Sequence, residues 1–400
     1  MSVPLHGHCD SRFENVRKVF AEQLESGKEV GAAIAFVLDG EPVVDLWGGF
    51  MGKPGTPDAE REWTRDTLVN TYSTTKGMTT ICAHRLVEQG RLDLDAPVAE
   101  YWPEFAAGGK ETIPVRWLLS HQAGLPAIRE TLPEEALFDW TTMCAALARQ
   151  TPWWEPGSRH GYHPLTFGHL VGEVIRRVDG RSVGQVFRED VAGPLEAEFH
   201  IGLDASQDDR VADIIGSLAP PKTGEGEPKI RIKGPLADFM RDMTDPTTLV
   251  GKAFNNPKMA PTTVNSRAWR AAEIPAANGH GTAAGLARIY GVLARGGEQD
   301  GVRVLEAESI DRARQEQASG PDATLGGMPM RYGLGFMLRT DFMPLSPSPS
   351  AFGHPGAGGS IGLADPDARV GFGYVMNRMQ MGLVGGPTAF AVLGAFFDSL

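Results

Sequence analysis

Ser73-Thr-Thr-Lys76 is the one Ser-x-x-Lys in this 400-residue chain. It falls where Val69-Asn-Thr-Tyr72 gives way to a helical pattern through Ile81, Leu86 and Val87. Spacing of i, i+3 at a helix start puts the hydroxyl and the amine on one face, one turn apart. A serine hydroxyl is a weak nucleophile until a base takes its proton, and a lysine serves only if desolvation or nearby positive charge keeps it neutral. At the first helical turn the serine N–H has no intrahelical acceptor, so it is free to donate to a developing oxyanion. Taken alone, the same four residues read equally well as a serine cap and a solvated lysine.

Two further segments carry chemistry-bearing groups. Trp154-Glu-Pro-Gly-Ser-Arg-His-Gly-Tyr162 is a turn-rich loop that delivers a tyrosine just before a helix expected from about Leu165. A tyrosine beside a lysine and a serine shuttles protons if neighbouring cations lower its pKa from about 10. Gly353-His-Pro-Gly356-Ala357-Gly-Gly-Ser360 is a glycine-rich edge leading into a strand. Such a segment lets backbone approach a ligand and supplies an N–H; it is equally the composition of a plain turn.

Two patterns compete with this reading. Gly358-Gly-Ser360-Ile-Gly362 matches Gly-x-Ser-x-Gly, but a nucleophile elbow needs a helix after the serine and a later histidine. Ser360 is followed by strand-like runs, and His354 is the last of 10 histidines. His160, His163 and His169 lack the compact spacing and flanking carboxylates of a zinc site. Neither a metal nor a cofactor is expected.

The elements that must position these groups show in the periodicity. Ser11-Arg-Phe-Glu14 reads as a capping box opening a helix with Phe13, Val16, Phe20 and Leu24 on one stripe and Gly27 beyond its end. Val30–Leu38 and Val43–Trp47 form a hairpin across Asp39-Gly40. At the other end, Ser360–Ala364 and Val370–Met376 flank a turn, and Pro387 opens a helix with Phe390, Leu393 and Phe397 inward. This pattern predicts a mixed α+β fold: one central antiparallel sheet built from both termini and flanked by helices, plus a mainly helical domain. The sheet domain is assigned to residues 1–73 and 280–400. The helical domain takes 74–279, with helices at 115–121, 134–149 and 167–178 and the return beginning at 285–293. Residues 219–263 read as a long surface excursion or lid, and the active site is expected where the two parts meet.

With 42% hydrophobic and 22% charged residues the composition is that of an ordinary globular protein. The net charge of −12 argues against nucleic acid or an anionic membrane surface as partner. The first residues carry no basic-then-apolar leader, and no apolar run approaches the ~20 residues of a membrane span, so a cytoplasmic location is expected. Cys9, Cys82 and Cys144 are too few and too scattered for a disulfide framework. Monomer and homodimer are not distinguished.

In their order along the chain, Ser73-x-x-Lys76, Tyr162 in its Pro-Gly loop and His354-x-Gly356 before a late strand resemble the serine β-lactamase and penicillin-binding-protein superfamily. Within it the chain looks most like the family VIII carboxylesterases. Val43–Gly49, Leu118-Leu-Ser-His-Gln-Ala-Gly-Leu-Pro126 and Asn278-Gly-His-Gly-Thr282 belong to the same resemblance. It implies a β-lactamase/transpeptidase-like fold and a Ser73 acyl-enzyme. Lys76 would be the partner base and Tyr162 the proton relay, with the N–H groups of Ser73 and Ala357 as oxyanion hole. His354, Gly356, Tyr72, Gln122 and Trp154 would contact substrate. Where penicillin-recognising members usually carry Lys-Thr-Gly, this chain has His354, with no lysine after Lys258; where they usually carry Asn two residues after the tyrosine, it has Pro164. The expected activity is therefore hydrolysis of short-chain carboxylic esters, a small-molecule substrate. The alternatives are an acyltransferase, an amidase or weak β-lactamase on the same scaffold, or a catalytically silent binding protein.

Overall fold

The computed structural model describes residues 3–53, 55–217, 234–380 and 384–400. Its largest sheet has nine strands: β1 (Leu5–Cys9), β2 (Gly31–Leu38), β3 (Glu41–Gly49), β4 (Ala318–Pro321), β5 (Pro329–Tyr332), β6 (Met337–Leu338), β7 (Phe352–Pro355), β8 (Ile361–Asp365) and β9 (Val370–Met376). They lie in the order β1-β3-β2-β9-β8-β7-β6-β5-β4, antiparallel throughout. The sheet expected from both ends of the chain thus closes at its centre, where β2 pairs with β9 from Leu38↔Val370 to Ala32↔Met376.

Five helices organise the packing around it: α1 (Glu14–Glu25), α2 (Thr75–Glu88), α3 (Thr166–Asp179), α4 (Ala283–Ala294) and α5 (Pro387–Phe397). Strand β2 is apolar at nearly every position because both its faces are covered. Its period of two sends Ala32, Ile34 and Phe36 toward α1 and α5, and Ala33, Ala35 and Val37 toward the opposite core. On the first face Phe36 stacks on Phe396 at 3.9 Å between centroids, and Phe13 stacks on Phe396 at 4.6 Å. On the other, α4 lies directly on β9. A Cβ at Gly371 would come within 2.2 Å of the Gly291 nitrogen, and one at Gly373 within 2.2 Å of the Ala283 carbonyl. Between Thr75 and Asn278 the described residues are chiefly helical and pack around α2 and α3.

Local details depart from the sequence pattern where a nearby partner competes. Ser11 does not close a capping box: Ser11–Phe13 is a 3-10 turn, and α1 starts at Glu14 without a side-chain cap. The stripe Phe13, Val16, Phe20 and Leu24 is buried as expected. In α5 the buried face is Ala389, Val392, Leu393 and Phe396, while Phe390 and Phe397 are only half-buried, because Phe396 fills the space over Phe36. The helix expected over 134–149 is divided into a 3-10 turn, Glu134–Phe138, and a helix, Trp140–Arg149. Asp139 separates them, its carboxylate accepting the N–H groups of Thr141 and Thr142. The Asp39-Gly40 hairpin turn has positive φ at both residues, as a two-residue I′ turn requires. Of the 219–263 excursion, residues 219–233 lie outside the described residues. The remainder forms helices Pro235–Thr244 and Leu249–Asn255, and Asn256 anchors it to residues 128–132 through the Ile128 and Glu130 carbonyls and the Leu132 N–H. No helix among the described residues is long and apolar enough to cross a membrane.

Glu29, just ahead of β2, is buried where β9, the chain leaving β9 and α5 converge. One carboxylate oxygen accepts the Tyr374 and Thr388 hydroxyls, each at 2.6 Å, and the Gln380 amide. Burial pushes this carboxyl up to about 7, against the opposing effect of those hydroxyls and of Arg378. A folded-state pKa above the unfolded one gives stability that is complete below about pH 4.5 and lost as pH rises through about 7, at most about 3 kcal/mol. Glu29→Gln, neutral throughout, should remove this dependence. Urea unfolding at pH 5 and pH 8 should show the wild type losing stability relative to the variant as pH rises; a constant difference would refute the assignment.

Candidate active site

The segment carrying Ser73 is held by a small four-stranded sheet. Leu68–Asn70 pairs antiparallel with His280–Gly281 and parallel with Val211–Ala212, with Phe199–His200 on the outer side. The Thr71 N–H donates to the Gly279 carbonyl at 2.8 Å, and Tyr72 turns the chain with φ of 45° before α2 begins at Thr75. A positive φ at a tyrosine is a strained conformation that its surroundings must enforce. Here it places Ser73 half-exposed at the mouth of the helix.

Lys76 is wholly buried one turn on. Its Nζ lies 3.0 Å from Ser73 Oγ, 2.7 Å from the Pro164 carbonyl and 2.9 Å from the Ala276 carbonyl. Carbonyl oxygens only accept, so two N–H bonds are committed to them and the remaining tetrahedral position faces Ser73. No carboxylate is among these partners, and desolvation holds the amine well below its ordinary pKa. A neutral amine so oriented presents its lone pair to the serine hydroxyl.

Tyr162 approaches from the opposite side. Lys76 Nζ sits 4.7 Å from its ring centroid, and the Ser73 contact is what offsets burial at the phenol. The sequence pattern calls for cations that lower this pKa. Instead burial, and then the charge of Asp322, raise it well above its ordinary value, so the resting group is the phenol. The Tyr162 N–H donates to both oxygens of buried Asp322, at 3.1 and 2.9 Å. His121 packs against the Tyr162 ring at 5.0 Å, with Nδ1 accepting the His163 N–H. His163 donates from Nδ1 to the Gly161 carbonyl at 2.6 Å and accepts the Leu125 N–H at Nε2. Both rings are neutral, His163 lowered to about 3 and His121 well below its ordinary value, chiefly by burial.

The glycine-rich edge completes the constellation. Strand β7 ends at Pro355 and is followed by a tight turn, Ala357–Gly359, in which Gly358 takes a left-handed φ of 83°. Among the described residues neither the Ser73 N–H nor the Ala357 N–H has an acceptor within the protein. The buried Ser360 hydroxyl donates to the Thr71 carbonyl at 2.7 Å and lies 3.2 Å from Thr74 Oγ1, whose proton it accepts. Ser360 is thus a clamp between the glycine edge and the Thr71–Thr74 segment that carries Ser73. Gly356 is confined by the same contact, since a Cβ there would stand 2.1 Å from the Thr71 oxygen and 2.2 Å from Ser360 Oγ.

The other sequence candidates divide. His354 is buried 6.0 Å from the Tyr162 ring, with Nδ1 bonded to the Pro355 carbonyl and Nε2 unpartnered. Burial and then Lys76 lower it to about 3, so it is no cation. Tyr72 donates to the Met379 sulfur at 3.5 Å. Gln122 and Trp154 serve the loop around Tyr162: Gln122 accepts the Ser120 hydroxyl and the Gly157 N–H, and the Trp154 indole donates to the Arg159 carbonyl, its ring edge against Gly161. Asp322 and the Pro164 and Ala276 carbonyls are absent from the sequence reading. Pro164 catches attention there only for its missing side-chain amide. His160, His163 and His169 do not converge on a metal-ligand group among the described residues. A separate cleft of about 430 Å³, lined by Arg65, Asp66, Glu198 and Arg288 among others, contains none of the candidate residues.

Comparison with known proteins gives the family and the fold. A family model described as Beta-lactamase matches residues 16–393. The esterase/beta-lactamase LipL of Mycobacterium tuberculosis is 37% identical over 381 residues, covering 94% of this chain and 84% of that protein. The crystal structure of a family VIII carboxylesterase superposes with a TM-score of 0.88 at 41% identity, covering 99% of this chain and all of the other. A penicillin-binding protein homologue from Caulobacter crescentus gives 0.86 at 40% identity, with 99% and 100% coverage.

Two substitutions test the clamp. Gly356→Ala should slow labelling of Ser73 by a fluorophosphonate about 10²–10³-fold in a folded protein, the usual effect of losing an oxyanion donor. Ser360→Ala should slow it about 10-fold without abolishing it, since a buried hydroxyl bond contributes roughly 1 kcal/mol net. Complete loss in a folded Ser360→Ala protein would return Ser360 to consideration as nucleophile.

Proposed function

Since the chain belongs to the Beta-lactamase family and is a serine hydrolase by that membership, we propose that it cleaves short-chain carboxylic esters through a Ser73 acyl-enzyme. The observation that carries this reading is Lys76: a buried amine, two of its hydrogen-bond positions filled by carbonyls and the third turned to Ser73 Oγ at 3.0 Å.

Ser73 Oγ attacks the ester carbonyl while Lys76 Nζ takes its proton. The negative charge that develops on the carbonyl oxygen is met by the N–H groups of Ser73 and Ala357. As the C–O bond breaks, the Tyr162 phenol protonates the departing alkoxide and is re-protonated from Lys76. Water, entering with the same groups in reversed roles, then releases the acid and restores Ser73. The starting protonation states suit these roles: an amine made neutral by burial acts as base, and a phenol of raised pKa acts as acid. The neutral His354 supports esters over β-lactams, because it supplies no positive charge for a substrate carboxylate.

Nitrophenyl butyrate and a chromogenic cephalosporin, assayed side by side, test the proposal. Wild type should turn over the ester rapidly and the cephalosporin slowly, and Ser73→Ala should lose about 10³–10⁶ in ester turnover. Near-normal turnover in the variant removes Ser73 as nucleophile, and efficient cephalosporin cleavage removes the substrate assignment. The acid limb of kcat/KM should follow Lys76: activity rises with pH as the amine loses its proton and levels off below the ordinary lysine range. An acid limb near pH 10 would contradict a neutral resting lysine.

A further inference from the structure

Asp322 is buried at the end of β4 and is 160 residues from Tyr162 in sequence. Besides both bonds to the Tyr162 N–H, its carboxylate accepts the Tyr332 hydroxyl at 2.8 Å and the Thr324 and Leu325 N–H groups, each at 2.8 Å. None of these partners is a cation. The Ala323 N–H donates to the His160 carbonyl at 3.2 Å, a second strut between the two loops. Tyr332 and Tyr162 are tied in turn by His121, whose ring lies 4.8 Å from one and 5.0 Å from the other. A buried carboxylate is costly unless its hydrogen bonds are filled, and a loop cap needs only the Thr324 and Leu325 bonds. The bonds to Tyr162 and Tyr332 are additional, and they tie the tyrosine backbone to the end of β4.

The structure assigns Asp322 as the positioning residue for Tyr162: from the end of a remote strand it fixes the height of the tyrosine backbone over Ser73. The inference rests on the reading of Tyr162 as proton donor to the leaving group. The charge of Asp322 raises the Tyr162 pKa and so opposes its ionisation. The groups facing the Tyr162 ring from other elements are Lys76, His121 and His354. Burial holds both imidazoles and the amine neutral, so no cation faces the phenol against the carboxylate. Removing the carboxylate frees the tyrosine backbone, and with it the phenol, to shift over Ser73. Asp322 itself touches neither substrate nor the reacting atoms.

Leaving-group dependence separates this role from general support of the fold. Nitrophenolate departs without a proton, whereas the alkoxide of ethyl butyrate needs one. The quantity to read is kcat/KM, which reports formation of the acyl-enzyme. Asp322→Asn keeps shape and an acceptor for the turn. Its kcat/KM should fall about 10–10²-fold on ethyl butyrate and by less than about 3-fold on nitrophenyl butyrate, a part of the 10²–10⁴ that a general acid contributes. Tyr162→Phe should show the same selectivity, more strongly. Equal losses on the two esters in Asp322→Asn, or none, with a selective loss in Tyr162→Phe, overturn the inference alone. A Tyr162→Phe protein without selective loss overturns the reading of Tyr162 beneath it. If Asp322→Asn folds poorly, Asp322→Ser, which retains an oxygen for the turn, carries the same expectation.

Discussion

The whole site depends on one amine being kept out of water. An ammonium in the Lys76 position would need the solvation that burial removes, and two peptide carbonyls are poor compensation for a charge. The neutral form donates its two N–H groups to the same two carbonyls without that penalty and leaves its lone pair free. Everything around it serves that condition. Phe167 and the Tyr162 ring cover the amine, and α3 begins immediately after the Pro164 carbonyl. Ala276 arrives from the segment that leads into the small sheet, so the support of Ser73 and an acceptor for Lys76 share one strand pairing.

The large sheet contributes the other half. Strands β7 and β8 bring the glycine edge to Ser73, and the Ser360 clamp fixes the distance between the two backbone N–H groups. In the proposed mechanism that distance must be preset, because a donor that has to move into place as charge develops gives up much of its value. Close packing explains why so much of this edge is glycine: the Thr71 carbonyl and Ser360 oxygen fill the space a side chain at Gly356 would take.

The sheet from both termini, the order of the motifs and the Ser73–Lys76 pair were legible because they rest on patterns of type and spacing along the chain. The support for them was not. Pro164 and Ala276 act through carbonyl oxygens, which every residue has, so no letter marks them. Asp322 lies in Ser319-Gly-Pro-Asp322, a string that reads as a turn, and its turn bonds to Thr324 and Leu325 are real; only tertiary structure adds Tyr162. The phenol pKa went the other way from expectation because burial outweighs a lysine that is itself uncharged. In α5, choosing Phe396 over Phe397 for the interior depended on an aromatic partner 360 residues earlier. Ser11 illustrates the reverse case, a local motif that a short 3-10 turn displaced.

The central pairing of β2 with β9 carries a consequence for how the chain reaches this state during synthesis. Strand β2 is made early, is apolar on both faces, and must wait more than 300 residues for the partner that covers its open edge, with the Gly31 N–H to the Asn377 side chain, 346 positions apart, as the last bond of the ladder. Contacts so distant close slowly, and an unpaired apolar strand is an invitation to other nascent chains. The hairpin with β3 protects only one side of it in the meantime. Yield on overexpression should therefore be governed by the lifetime of that half-built sheet, and less by the stability of the finished enzyme.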